Sequence, residues 1–551
     1  MASEKITRLA FILAIFVFLT AQADDFLQFP NDMNQSFLST CQDTVTLHTN
    51  ISNIGPKFIS SSLITCLNLT NIYIKNIENG AFEKLPNLTY LYLSDNIFRS
   101  SSQLFNFGDH KKLKVLIINN ATSKFEDESI VEIFDYPDLE ILSLRENGFK
   151  DIRLSDRIPY FKSDFNISSE SLRIQSKIPF PKLKILDLSG NNIRDTNFME
   201  LLPNSLNSLD LHANQLSYFA LNITGTNLFL LNLNNNNLKS VKKMINYYKS
   251  PNNPYNDYDN PHNNPYNDYD NPHNDPYNDP YNDYNDRHDR YRIRARENYW
   301  ENLRYQYVPS TTTEKYYHNI EHGLGLASLE NLRYLSISRN QINLIESNAF
   351  QDTNKLMYLN LSGNYIQNLD PDTFAKLQFL NTLDLSANKL TSVPQISGET
   401  NISNLYLSCN KIERIISNTF VQTPNLTKLL LGGNQISEID SKAFAYLFVL
   451  EMLDLSNNKL NFLPEGWTKN LASLKQLDLS DNEITSLEFL PLDSALSLVE
   501  IYLVMNPLEY LNSTYFETLP RNVSIKLVER SSFANWNLFC TYVESHKTLL
   551  R

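Results

Sequence analysis

The sequence predicts an α/β repeat solenoid with a parallel β-sheet along one side, and three observations support that fold class. Leu332, Leu356, Leu380, Ile402, Leu426, Leu450, Leu474 and Leu498 each open the same short phrase, at steps of 24 residues and once 22. Written once, the phrase is Leu356-x-x-Leu359-x-Leu361-x-x-Asn364-x-Ile366, with apolar residues alternating at its centre. Between phrases Phe350, Phe374, Phe420 and Phe444 recur, with Trp467 one place early. A unit this short cannot bury its apolar side alone, so successive units must stack.

In Leu359-x-Leu361 the period of two turns both leucines inward and leaves Tyr358 and Asn360 facing out, which makes each phrase a short strand. The recurring Asn340, Asn364, Asn388, Asn410, Asn434, Asn458, Asn482 and Asn506 carry both a donor and an acceptor. They are expected to satisfy buried backbone where the chain leaves the strand. The phenylalanines read as an aromatic spine filling the opposite side. This phrase is that of the leucine-rich repeat, and the chain resembles extracellular leucine-rich-repeat proteins, including the ectodomains of Toll-like receptors. The resemblance implies a leucine-rich-repeat horseshoe with a concave parallel β-sheet.

The first half follows the same pattern less regularly, through Ile64-Leu67-Leu69, Leu88-Leu91-Leu93, Leu113-Leu116-Ile118, Leu139-Leu142-Leu144, Leu183-Leu186-Leu188, Leu206-Leu209-Leu211 and Leu228-Leu231-Leu233. The gap from Leu139 to Leu183 has room for one degenerate repeat, with Phe165 and Ile167 in its strand. The expected order is a signal peptide at 1–23, an N-terminal cap at 24–62, irregular repeats at 63–245, an insertion at 246–322, regular repeats at 323–520 and a C-terminal cap at 521–551.

Lys5 and Arg8, the apolar run Leu9 to Leu19 and Ala21-Gln22-Ala23 have the anatomy of a secretory signal, too short for a comfortable membrane span. An uncleaved anchor is the rival reading. No later apolar run approaches the length of a span, and the tail from Cys540 to Arg551 is too polar for a lipid-anchor signal, so a secreted, extracellular protein is expected. Sequons at Asn34, Asn50, Asn68, Asn87, Asn120, Asn166, Asn222, Asn360, Asn401, Asn425, Asn512 and Asn522 suit a glycoprotein of that compartment. A formal net charge of -13 argues against nucleic acid or an anionic membrane as partner.

Cys41 lies just before the first repeat and Cys66 in its strand, so a disulfide between them is expected in the N-terminal cap. Cys409 and Cys540 are about five repeats apart, of order 24 Å at strand spacing, and on that count are too distant to bridge. Phe533, Trp536, Cys540 and Val543 recur at helical spacing, a pattern for covering the last repeat's open core. Cys540 then reads as a small buried hydrophobe, with an intermolecular disulfide as the alternative.

Between Leu238 and Leu332 the period breaks. Residues Asn253 to Asn263 read NPYNDYDNPHN, and Asn264 to Asn274 repeat it. A tract without aliphatic residues cannot build a core and is expected to be disordered. Arg287, Arg290, Arg292, Arg294 and Arg296 follow, then Tyr299, Trp300, Tyr305 and Tyr307. A tolerated loop expansion, a protease-sensitive processing loop and a partner-binding tail all fit this composition.

His318-Asn319-Ile320-Glu321-His322 fits a metalloprotease pattern, but beside Gly323 and Gly325 it lacks the long helix such a site needs. No nucleophile elbow, phosphate loop or zinc cysteines occur, so neither an enzyme nor a cofactor is expected. The outward strand positions instead carry Tyr90, Tyr92, Tyr334, Tyr358, Tyr406 and Tyr502 with Asp187, Asp210, Asp384, Asp454 and Asp478. Rigidly held tyrosines suit protein recognition, and carboxylates favour a basic patch on the partner. The expectation is a secreted binding protein for an extracellular protein ligand, with a homo-oligomer left open. Resemblance to Toll ectodomains implies a soluble receptor, co-receptor or decoy in innate immunity. An extracellular matrix or cell-adhesion protein is the alternative.

Overall fold

A computed structural model describes most of residues 44–243 and 323–528, the longest stretch left out within those ranges being 155–179. The expected signal peptide, the insertion with its His318 to His322 motif, Phe165, Ile167, Cys41, Cys540 and the helical pattern from Phe533 to Val543 lie outside the described residues.

Among the described residues, seventeen strands of three residues form one parallel sheet. Each phrase pairs with the next without a slip: Tyr334, Leu335 and Ser336 stand opposite Tyr358, Leu359 and Asn360, and Leu359 opposite Leu383. Because the register is kept, inward leucines fall into rows, and Leu356, Leu359, Leu361, Leu380, Leu383 and Leu385 are completely buried. One apolar interior runs from Ile54 to Leu503. Thr44–Thr46 and Ser524–Lys526 add a strand at each end.

The asparagines do what the phrase predicts. Asn364 Nδ2 donates to the carbonyls of Leu361 (2.9 Å) and Ile337 (3.0 Å), and its Oδ1 accepts from the Ile342 amide at 3.1 Å. One amide thus ties a turn to itself and to the turn before it. Asn388, Asn410, Asn434, Asn458 and Asn482 repeat this arrangement. Leaving such buried backbone groups unpaired costs about 1 to 3 kcal/mol each. The residue before the asparagine turns through positive φ, and at Gly363 (φ 70°) a Cβ would sit 3.1 Å from Arg339 Cγ and 3.3 Å from its amide nitrogen. Glycine is the residue that fits there without displacing the neighbouring turn.

Among the described residues no element of the solenoid is an α-helix. Among the described residues the return paths hold turns, strands of two to four residues and 3-10 segments such as Pro371–Phe374, Leu487–Phe489 and Tyr515–Glu517. Phe374, Leu377 and Leu380 must all face inward at three-residue steps, and the amides of Leu377 and Leu380 bond to the carbonyls of Phe374 and Leu377. That is the 3-10 period, not 3.6. The aromatic spine is present: ring centroids lie 5.9 Å apart for Phe350 and Phe374, 5.8 Å for Phe420 and Phe444, and 6.0 Å for Phe444 and Trp467.

Two departures matter for the site. In the main sheet Ile141–Ser143 pairs directly with Ile185–Asp187, the strand of the phrase that Leu183 opens. At the insertion the two flanks interlock. The main sheet runs from Leu230–Asn232 straight to Tyr334–Ser336. On the return side Leu324–Gly325, which follows the insertion, lies between Phe219–Ala220 and Ser240–Lys242, and the latter pairs onward with Leu344–Ile345. Strands from before and after the insertion therefore alternate.

Candidate protein-binding face

Alternation along each strand places all eleven expected contact residues on the outward face of the main sheet. Their accessibility divides them. Tyr90, Tyr334, Tyr358 and Asp384 are half-buried, whereas Tyr92, Asp187, Asp210, Tyr406, Asp454, Asp478 and Tyr502 are buried. Seven of the eleven therefore have little free surface.

The aspartates show one reason. Asp384, Asp454 and Asp478 Oδ1 each accept from the amide two residues on, at Ser386, Ser456 and Ser480, all at 2.9 Å. Asp187 accepts from both the amide and the hydroxyl of Ser189, and Asp210 from the amide of His212. These carboxylates hold the chain as it bends away from the strand, an Asx turn repeated along the solenoid. Their place in the phrase is structural first. Asn360 and Asn68 do the same with Ser362 and Thr70, so these two sequons have their acceptor oxygens engaged. Asn50, Asn120, Asn401 and Asn425 are the exposed sequons among the described residues.

Two features of the face were missed in the sequence. Near its N-terminal end Cys66, Tyr92, Val115, Ile117 and Ile141 form a buried apolar cluster with Tyr90 and Ile185 against it. The signal was visible: the Val115–Ile117 and Ile141–Ser143 strands have apolar residues at outward positions, which breaks the in-out alternation. Neither Cys66 nor Cys409 is a free thiol; both are disulfide-bonded.

The second is a charged cluster. Asp187 and Asp210 are register partners on adjacent strands. Arg145 Nε lies 3.8 Å from Asp187 Oδ2, and His212 Nδ1 and Asp210 Oδ1 are 2.8 Å apart. Asn232 Nδ2 donates to Asp210 Oδ2 at 3.1 Å, and the Ser143 hydroxyl to Asp187 Oδ2 at 3.3 Å. Burial, and then the neighbouring Asp210, push the Asp187 carboxyl up to about 6, against the bonds from Ser189 and the charge of Arg145. Burial pulls the His212 imidazole down, but the hydrogen bond and charge of Asp210, with Asp187 behind it, leave it above its ordinary value. No group of three or more potential metal ligands occurs among the described residues.

The pH dependence follows with one sign. Asp187 keeps its proton in the folded chain where the unfolded chain has lost it, so its contribution is most favourable below 3.8 and falls as pH rises to about 6. His212 contributes fully below 6.5, and that is lost as pH rises through its higher folded value. Both favour mild acid. In thermal melts Asp187→Asn should raise the melting temperature at about pH 7 and converge on the parent below about pH 4. A constant offset across that range would remove Asp187 as the source.

Models of the leucine-rich repeat match residues 330–508 in six overlapping segments and residues 182–209, and a model of the BspA-type leucine-rich repeat region matches 31–134. No curated protein matches the chain. Among solved structures, a leucine-rich-repeat protein of Leptospira interrogans is similar at 18% identity over 85% of this chain and 84% of its own, with a TM-score of 0.48. An internalin (InlF) from Listeria monocytogenes is similar at 18% identity over 85% and 88%, TM-score 0.41. A complex of TLR13 with ssRNA13 gives 18% identity over 87% of this chain and 66% of that one, TM-score 0.37. No helix among the described residues is long and apolar enough to cross a membrane. With repeat models matched over more than half of its length and the asparagine ladder and in-register sheet in place, the chain belongs to the leucine-rich-repeat proteins.

Proposed function

We propose that the chain is a secreted binding protein that recognises an extracellular protein through the outward face of its sheet, as a soluble receptor, co-receptor or decoy in innate immunity. One observation supports the site above all: Tyr334 and Tyr358 are register partners, both half-buried, with Asn360 and Asp384 accessible beside them. Two aromatic rings fixed by a rigid sheet offer contact area at little entropic cost. Burial raises the Tyr334 hydroxyl above its ordinary value, so it serves as a neutral hydrogen-bonding group. The signal-like N-terminus and the sequons support secretion. The immune assignment rests on the resemblance of the repeat phrase to Toll ectodomains.

Affinity capture on the native extracellular fluid, followed by mass spectrometry, identifies the ligand. With that ligand, Tyr334→Ala with Tyr358→Ala should weaken binding by about 2 kcal/mol or more per buried ring, and secretion and melting should stay unchanged. Unaltered affinity places the contact elsewhere. Recovery of the protein only in insoluble matrix, with no discrete complex, supports the adhesion alternative.

A further inference from the structure

We propose that N-linked sugars on Asn87, Asn401 and Asn425 lie along one flank of the solenoid, each covering an exposed apolar side chain on the adjoining turn: Leu63, Phe379 and Val449. The proposal rests on the secretion reading above, since only a secreted chain meets the glycosylating enzyme.

The flank is built from the position three residues before each strand of the main sheet. Cys66 pairs with Tyr90, and Thr382, Asn404, Lys428 and Met452 pair in succession, so the residues three places earlier form one column. The backbone ladder runs on toward it, with the Thr89, Ser403, Thr427 and Glu451 amides bonded to the Thr65, Asn381, Ser403 and Thr427 carbonyls. Neighbours in the column therefore stand about 4.8 Å apart.

Three members of the column head sequons: Asn87-Leu88-Thr89, Asn401-Ile402-Ser403 and Asn425-Leu426-Thr427. Three members are apolar, Leu63, Phe379 and Val449, exposed by 78, 61 and 44%. Each apolar residue adjoins a sequon. Leu63 stands next to Asn87 in the column, Phe379 next to Asn401, and Val449 next to Asn425. The remaining positions, from Lys112 to Ser497, are polar or charged. Asn331 supplies the contrast. It occupies the column but heads Asn331-Leu332-Arg333, which is no sequon, and its neighbours are Asn227 and Lys355.

The asparagines are held ready to carry sugar. Nδ2 of Asn87 donates to the Ser62 carbonyl and Nδ2 of Asn401 to the Gln378 carbonyl, both at 2.8 Å. Each acceptor belongs to the residue just before the apolar one, which draws the amide toward Leu63 or Phe379. Asn425 Nδ2 reaches Asn401 Oδ1 at 3.4 Å. A side-chain amide has two N–H groups, so each nitrogen keeps one for substitution. Sugar rings present C–H faces that make dispersion contacts with aliphatic and aromatic side chains, and covering those side chains removes apolar surface from water. The sugars at Asn401 and Asn425 start one turn apart and lean away from each other, the first over Phe379 and the second over Val449.

Attachment joins Nδ2 to the anomeric carbon of a lipid-diphosphate-linked oligosaccharide. One N–H bond and the anomeric C–O bond break, and the proton and the lipid diphosphate leave. The consequence is that this flank is closed to protein partners at these turns, whereas the sheet face at Tyr334 and Tyr358 is not.

The test uses the full-length protein secreted by eukaryotic cells. Peptide mapping after enzymatic deglycosylation, which turns each occupied asparagine into aspartate, should mark Asn87, Asn401 and Asn425. In hydroxyl-radical footprinting of the folded protein, labelling of Leu63, Phe379 and Val449 should rise several-fold once the sugars are removed. Phe462, exposed by 50% in a turn that carries no sequon, should not change. Asn401→Gln should raise labelling at Phe379 and leave Leu63 as in the parent. Occupied asparagines with unchanged labelling overturn the proposal, and that result does not depend on the variant folding. So do bare asparagines at these three positions in a protein glycosylated at Asn50 or Asn120. A chain that carries no sugar at any sequon overturns the secretion reading as well.

Discussion

Leu383→Ala should destabilise the chain by about 2 to 5 kcal/mol, with the damage confined to the turns beside it. Leu383 is completely buried, in the row between Leu359 and Leu405. Truncation removes its apolar contacts and leaves a cavity that the turns above and below cannot close, because their own leucines are held in register by the sheet and the asparagine ladder. Asn388 and Asn410 both donate to the Leu385 carbonyl, so the strand cannot move inward without giving up those bonds. Hydrogen exchange should accelerate in the strands around Thr382–Asp384 and leave Cys66–Asn68 and Tyr90–Tyr92 unchanged, since each turn touches only its neighbours. Uniform acceleration along the whole chain would falsify the nearest-neighbour account.

Limited trypsin treatment should cut first between Arg287 and Arg304, and the two fragments should co-elute from size exclusion with the melting curve of the intact chain. The arginines supply the sites, and the aliphatic-free tract before them cannot build a core that would hide them. Co-elution follows from the interlock. Separation requires Leu324–Gly325 to leave its place between Phe219–Ala220 and Ser240–Lys242 while Leu230–Asn232 loses Tyr334–Ser336. It also exposes Leu233, Val241, Leu324, Leu326 and Leu335, all buried to within 1%. Burial of a leucine or valine side chain contributes about 1.5 to 3 kcal/mol. Two fragments running apart in native buffer would mean that the strands do not alternate across the insertion.

How far the sequence could be read depended on whether a residue's partner lies within the repeat or beyond it. Asn364 was legible because its contacts sit at fixed offsets, three residues back and one repeat back, and the offset recurs in every turn. Leu383 was legible for the same reason. The aspartates were half legible: alternation says that Asp454 points outward, but not that its oxygen is engaged by the Ser456 amide. The local form of the return path was not legible, because the spacing of Phe374, Leu377 and Leu380 satisfies a helical and a 3-10 reading almost equally. The order of strands at the insertion was not legible at all. Leu324 and Gly325 belong to no phrase, so nothing local announces that they fit between two strands laid down roughly 105 and 84 residues earlier.

That interval has a counterpart in time. At about 5 to 20 residues per second of synthesis, Gly325 emerges roughly 4 to 17 seconds after Lys242. Throughout that interval the slot between Phe219–Ala220 and Ser240–Lys242 stays empty, with unpaired strand edges on both sides of it. The first half therefore cannot finish folding as it is made. Its last turns wait for a piece of the second half, and a chain terminated anywhere in the insertion leaves the ribosome with that slot permanently open.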